Sequence, residues 1–277
     1  MANAAILHDR AIIALDGPEA RNFLQGLVTN DVAHCDAGQA VYAAILTPQG
    51  KILFDFIVTA AQAIFFLDCA AARASELIKR LGFYRLRAKV NIAARPDLGV
   101  AAVWGQTPAL PVSGLLAVPD PRLPILGIRL TGTGAQLETA IGQIPAGDYD
   151  DFRLQLGIPG STDLPPDQVF ALDAGMEELH GVSFSKGCYV GQEVTARMKH
   201  RSSARRRFYI AEAEPVPPPG TSVDAQGKEL GRISSAKNSR GLALVRLDRL
   251  AEAEENHVPL LSGGKPLSLR QPEWLHA

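Results

Sequence analysis

EAEPVPPPG, residues Glu212–Gly220, divides this chain into two unlike parts. Four prolines in five positions fix φ and remove backbone donors, so neither a helix nor a central strand continues through them and an extended connection is expected. Downstream, ELGRISSA, GLALVRL, HVPLL and PLSLR are short strand-like segments between glycine turns. That spacing fits a small β-barrel or sandwich of about 70 residues. RFYIAEAE, just upstream, reads as its first strand, so the β domain is placed at 206–277 and the remainder at 1–205.

Further upstream the pattern is mixed. In LDGPEARNFLQGLVTND, Leu15–Asp31, the residues Ala20, Phe23, Leu24, Leu27 and Val28 recur on one helical face. Asp16 and Glu19 have the spacing of a capping box, and Pro18 suits a first turn. VYAAIL from Val41 and KILFDFIVT from Lys51 read as a hairpin around TPQG. A second helix sets Ala74, Leu77, Ile78 and Leu81 in a stripe and is expected to stop at Gly82 in the left-handed conformation. VAAVWG and ILGIRL read as strands, separated by a Pro- and Gly-rich stretch from Gln106 to Pro124. Strands and helices follow too irregularly for a βαβ repeat, so the expected class is α+β with a terminal β domain. The dinucleotide fingerprint, the P-loop and the Gly-x-Ser-x-Gly elbow are all missing.

With 277 residues, 47% of them hydrophobic and 21% charged, the chain has the composition of a folded protein of more than one domain. The formal net charge of -1 gives no global attraction to nucleic acid or anionic lipid, so any such partner needs a local patch. No apolar run has the length of a membrane span. Cys35, Cys69 and Cys188 are odd in number and widely spaced, which argues for a reducing compartment and against a disulfide framework or a self-contained metal site. The N-terminal residues carry neither a secretory nor a transit pattern, and the expected location is the cytoplasm.

Chemistry concentrates in SFSKGCYVGQEVTARMKHR, Ser183–Arg201. If GQEVTARM opens a helix, Cys188 lies just ahead of its N-terminus, where free N–H groups favour a thiolate, with Lys186 and Arg197 adding positive charge. Gly187 and Gly191 would let the backbone turn around the sulfur. Beyond it, Arg197, Lys199, Arg201, Arg205, Arg206 and Arg207 place six cations in eleven positions. An RNA-binding module is one reading of that run, but no stacking aromatics interleave before Phe208 and Tyr209, and a solvated face between domains is the other.

KGCYVGQE, Lys186–Glu193, resembles the signature of the folate-binding YgfZ-type proteins, relatives of the glycine-cleavage T-protein that act in iron–sulfur cluster assembly or repair. GPEARNFLQGLVTND, LTPQGKILFDFIV and RLQLGIP resemble the family's first helix, its hairpin and the segment before the signature. The resemblance implies a ring of two interleaved, ferredoxin-like α+β domains, the second at roughly 42–130, closed by the β-barrel, with tetrahydrofolate or a one-carbon derivative in the central opening. It implies a functional loop of Lys186, Gly187, Cys188, Tyr189, Gly191, Gln192 and Glu193, with Cys188 as the essential thiol. Asp55, Arg153, Gln155, Tyr189 and Arg197 are the implied folate contacts, no tightly bound metal is expected, and the partners are assembly factors or client enzymes. Two departures bear on activity. Where the aminomethyltransferases carry paired aspartates this chain has Phe54 before Asp55, and Gln155 stands where a pterin-binding glutamate is expected. A phenyl ring neither takes a proton nor stabilises a cation by charge, so one-carbon transfer by Asp55 is the alternative reading and an accessory, non-catalytic role the leading one.

Overall fold

The computed structural model describes residues 1–37, 39–106, 114–201 and 205–276. In chain order the first strands and helix are β1 (Ala2–Ile6), β2 (Arg10–Asp16), α1 (Ala20–Gln25), β3 (Val41–Leu46), β4 (Ile52–Ala61) and β5 (Ile64–Ala70). Next come α2 (Ala74–Arg85), β6 (Asn91–Ala94), β7 (Gly99–Gly105), β8 (Leu116–Pro119), β9 (Ile128–Gly132), α3 (Gly134–Ile141), α4 (Tyr149–Gln155) and α5 (Gln192–His200). The C-terminal part holds β10 (Arg206–Glu212), β11 (Ser222–Ala225), β12 (Lys228–Lys237), β13 (Arg240–Arg246), α6 (Leu247–Glu255), β14 (Leu260–Ser262), β15 (Lys265–Pro266) and β16 (Ser268–Arg270).

These strands form three sheets, ordered β3-β4-β5-β2-β6, β1-β7-β9-β8 and β15-β14-β11-β12-β13-β10-β16. The first two interleave in sequence, because β1 pairs with β7 and β2 to β6 lie between them. Strands within 42–130 are therefore shared between two sheets, and the partition we propose for the first 205 residues follows the sheets rather than one cut. In the third sheet the edge strands β15 and β16 are successive in sequence, joined through buried Leu267, so the sheet curls into a nearly closed barrel. Closure hides the unpaired edges that an open sheet would expose.

All six residues of β3 are buried, and the reason is the period of two. Ala43 and Ile45 face a core with Leu24, Phe56, Leu77 and Leu81 under α1 and α2. Tyr42, Ala44 and Leu46 face a central core with Trp104, Leu154, Met176, Phe208 and Trp274, drawn from all three units. A strand covered on both faces is continuously apolar, which is what VYAAIL shows. The central core is also filled by residues around 158–179, a stretch with a single short 3₁₀ turn whose Ile158, Val169, Ala171 and Met176 are buried.

Several local expectations need correction. The predicted stripe of α1 is inside, but Asp16 and Glu19 do not form a capping box. Asp16 accepts from the Asn91 amide at 2.7 Å and Glu19 from the Lys89 N–H at 2.7 Å, tying them to the start of β6 and to the connection that leads into it from α2. Helix α2 runs through Gly82 and ends at Leu86, whose φ is 46°. Part of the Gln106–Pro124 stretch, 107–113, lies outside the described residues, and β8 follows it. Strands β1, β2, β5, β6, β8 and β11 and helices α3, α4 and α6 lie outside the elements read from the sequence.

Candidate functional site

The signature loop is held from two sides. On one side it meets the segment after α1: the Thr29 hydroxyl donates to the Gly181 carbonyl at 2.7 Å, and the Ser183 N–H donates to the Thr29 carbonyl at 3.0 Å. Lys186 then turns inward, its ammonium donating to the carbonyls of Val28 at 2.6 Å and Asn30 at 2.8 Å. Burial pushes this amine down to about 8, since carbonyl dipoles replace only part of its hydration.

On the other side the loop meets the β3–β4 turn. Gly191, at φ 83°, caps α5, and a Cβ there would lie 2.6 Å from the Thr47 carbonyl oxygen and 3.0 Å from Leu46. Gly50, at φ 81°, approaches Val194 in return. Any side chain at Gly191 would force the loop off the hairpin. Between the two anchors, Tyr189 is buried with the Lys186 ammonium 5.3 Å above its ring, and its hydroxyl is sealed from solvent alongside Thr195. Burial raises that phenol to about 12.

Cys188 projects from this fixed frame and is exposed, whereas Cys35 and Cys69 are buried. The cations expected to face the thiol are engaged elsewhere: Lys186 with the two carbonyls, and Arg197 with Glu193 at 2.9 Å along α5. Gln192 and Glu193 open α5. What makes Cys188 available is its position on an anchored loop.

Upstream in the same segment, Ser183, Phe184 and Ser185 line a cavity of about 420 Å³ together with Asn30, Tyr42 and His180. The residues expected to contact folate are not gathered there. Asp55 faces a crevice of about 10 Å³, room for roughly one water. Tyr42 stands between the two, lining the larger cavity while its hydroxyl donates to Asp55 at 3.4 Å. Phe54 is buried under the Arg73 guanidinium, 4.2 Å from its ring centre. Arg153 is buried and ties α4 to the barrel side, bonding Asp150 at 2.7 Å, Asp163 at 2.8 Å and the Ser235 hydroxyl at 3.3 Å. Gln155 is exposed and donates to Asp151 at 2.7 Å.

Three of the six cations in the basic run form ion pairs, Arg197 with Glu193 as above and two with acids from elsewhere in the chain. Lys199 pairs with Glu177, Arg207 with Glu178 at 3.0 Å, and the N–H groups of Arg205 and Arg206 donate to Asp173. These pairs reduce the unbalanced charge that the RNA reading needs, while the contacts of Arg205 and Arg206 with Asp173 run through backbone N–H groups and leave both guanidinia charged. Among the described residues no three His, Cys, Asp or Glu side chains are placed to hold a metal ion.

One cluster escaped the sequence reading. Arg10 binds Asp68 at 2.6 Å; Arg129 bridges Asp68 at 2.6 Å and Asp120 at 2.9 Å; Arg122 binds Asp120 at 2.7 Å and the Tyr149 hydroxyl at 2.9 Å. All five charged groups are largely buried. Burial alone would raise the Asp120 carboxyl, but Arg122 and Arg129 outweigh it and hold the group well below the usual range. The network fastens β2 and β5 to β9 and α4 behind the hairpin. Its visible signal was a charge inside an apolar strand, Arg129 between Ile128 and Leu130 and Asp68 within FFLDCA.

Residues 8–107 match the family described as "GCVT N-terminal domain", and 205–277 match "CAF17, C-terminal beta-barrel domain". The mitochondrial iron-sulfur cluster assembly factor IBA57 of Mus musculus is 33% identical, over 88% of this chain and 77% of that protein. Its Homo sapiens counterpart is 31% identical, over 97% and 84%. The crystal structure of glycine cleavage system aminomethyltransferase T from Bartonella henselae superposes with a TM-score of 0.79 over 99% of this chain and 86% of that one; at 18% identity, that likeness concerns the fold alone. The expected cytoplasmic address is corrected by these relatives, which are named as mitochondrial proteins. Unpaired cysteines favour a reducing compartment, and they do not single out which one. With the T-protein architecture, the CAF17-type barrel and this degree of identity over most of its length, the chain belongs to the IBA57 family of iron–sulfur cluster assembly factors, relatives of the YgfZ-type proteins.

Proposed function

We propose that this protein supports assembly or repair of iron–sulfur clusters in client enzymes as an accessory factor, and that the Cys188 thiol is the group that meets the metal centre or the partner. The observation that carries this reading is an exposed cysteine on a loop anchored at both ends, by Lys186 on Val28 and Asn30 and by Gly191 on Thr47. Anchoring presents the sulfur in one place, so a partner need not order the loop on binding. Assembly factors or client enzymes are the macromolecular partners in this reading.

Tetrahydrofolate, or a one-carbon derivative, is the small ligand we assign, and the cavity beside Ser183 and Ser185 suits it better than the crevice at Asp55. At about 420 Å³ the cavity is of ligand size, while the crevice is not. The two serine hydroxyls supply donors, and Asn30 Oδ1 and the Glu177 carboxylate supply acceptors, as the edge of a pterin requires. When bound, folate would supply a one-carbon carrier; Asn30 and the serines would orient the ring, and Tyr42 would close the cavity floor.

Both halves are open to test. In cells lacking the native protein, Cys188→Ala is expected to abolish support of cluster-dependent enzymes while leaving circular dichroism and thermal unfolding unchanged. Normal enzyme activity with that variant would overturn the role of the thiol. For the ligand, titration with tetrahydrofolate should show binding that Ser185→Trp, which fills the cavity, removes; undiminished affinity in the variant would exclude the cavity.

A further inference from the structure

A second cavity, of about 540 Å³, lies between the 162–169 segment and the barrel. Its lining includes four arginines, Arg206, Arg232, Arg246 and Arg249, against two carboxylates, Asp163 and Glu229, leaving an excess of two positive charges. The acids are already committed. Asp163 accepts from the Gly160 N–H at 2.8 Å, from Arg153 at 2.8 Å and from the Ser235 hydroxyl, and Glu229 pairs with Arg232 at 2.7 Å. Arg246 spends one edge of its fork on Asp248, which lies outside the cavity, and Arg249 donates one N–H to the Glu229 carbonyl. Donors remain on both guanidinia, and among the described residues the Arg206 guanidinium, which acts on Asp173 through its charge, makes no side-chain hydrogen bond or ion pair.

The walls are built before any ligand arrives. The bonds of Asp163 to Arg153 and Ser235 fix the 162–169 side to β12, and the arginines rise from β10, β12, β13 and α6, all members of one closed sheet and its covering helix. Val169, Leu230 and Ile233 add apolar surface to the same lining. A ligand-sized space with apolar surface and four guanidinium groups in its lining suits a small organic molecule carrying a compact dianion.

We propose that this cavity binds a phosphate monoester of a small organic body. The excess charge matches the charge of roughly -2 that a phosphate monoester carries in a single group, whereas a dicarboxylate spreads the same charge over two separated ends. The site is separate from the signature loop and does not depend on the assignment of Cys188 or of folate.

Calorimetric titration at low salt, with adenosine monophosphate, adenosine, inorganic phosphate and glutarate as probes, tests it. Adenosine monophosphate is expected to bind, adenosine not, and inorganic phosphate more weakly. The double variant Arg206→Gln/Arg246→Gln should weaken the nucleotide by roughly tenfold or more, from the loss of charge-assisted bonds. Both side chains are at the surface, so thermal unfolding should be unchanged, and Ser185→Trp should leave nucleotide binding intact. Absence of nucleotide binding at millimolar probe, undiminished affinity in the double variant, or tighter binding of glutarate than of the nucleotide would each overturn the proposal.

Discussion

Two buried cations in this molecule are treated in opposite ways. Arg129 lies among carboxylates, at 2.6 Å from Asp68 and 2.9 Å from Asp120, and its guanidinium is held more firmly protonated than usual despite complete burial. Lys186 is buried against carbonyls alone, and its ammonium is pushed down to about 8. Carboxylates repay the cost of desolvating a charge; peptide dipoles repay only part of it. The first arrangement makes a fixed hub joining two sheets. The second makes a latch whose grip on the signature loop depends on the protonation of one amine, and it lies two residues from the exposed thiol.

Removing a carboxylate from the hub should have the largest effect. Asp120→Ala leaves Arg122 without its bidentate partner and Arg129 with half of its own, both in a dry setting. Breaking a buried ion pair from one side costs about 3–5 kcal/mol, and urea denaturation should show a loss of that size. A loss under about 1 kcal/mol would put the network in the class of solvated surface pairs and erase the contrast with Lys186.

The latch is tested by pH. A lysine whose folded pKa lies below its unfolded value binds fewer protons in the native state, so the penalty is full below pH 8 and is relieved as pH rises toward the unfolded value. The stability of the native protein minus that of Lys186→Met should therefore rise between about pH 8 and 10, by up to about 3 kcal/mol. Taking the difference cancels the distant Cys69, whose thiol is raised to about 12 and titrates the other way. A difference that does not change over this range would mean that the amine is hydrated.

Gly191→Ala should cost about 2 kcal/mol, because it combines a positive φ with a Cβ directed at the Thr47 carbonyl. The damage should be local. Amide exchange should quicken in 186–195 and stay slow in β5 and β9, where the hub lies; uniform quickening would show that loop and hub are not independent.

The sequence made the loop legible because its requirements are local. Glycine at 191, cysteine at 188 and the start of α5 are all written within KGCYVGQE. The amphipathic stripe of α1 and the β3–β4 hairpin were legible for the same reason, each being a short-range pattern. The direction of Lys186 was not, since its partners Val28 and Asn30 are more than 150 positions away and nothing in a lysine codes for inward burial. The capping box at Asp16 failed because both acids found distant backbone and amide donors in Lys89 and Asn91. Gln155, Arg153 and Asp55 look like a set in the family pattern, but the fold spends Arg153 on Asp150, Asp163 and Ser235 and leaves Gln155 in solvent.

The smallest stability effect is expected at Cys188 itself. The side chain is exposed and contributes little packing, so Cys188→Ser should shift unfolding by no more than about 0.5 kcal/mol. Its reactivity should be distinctive. Under native conditions iodoacetamide should label Cys188 and spare Cys35 and Cys69, both buried, the latter with burial raising its thiol to about 12. Thiolate attack needs access as well as ionisation, and only the loop cysteine has the access. Labelling of Cys69 at a comparable rate would mean that β5 opens readily, against its place beside the Asp68 hub. Lys186→Met joins the two halves of the comparison: it should leave labelling of Cys188 intact while lowering support of cluster-dependent enzymes, because the thiol stays accessible but is no longer presented in a fixed position. If that support is unaffected, the latch is structural only, and presentation of Cys188 rests on Gly191 and the hairpin.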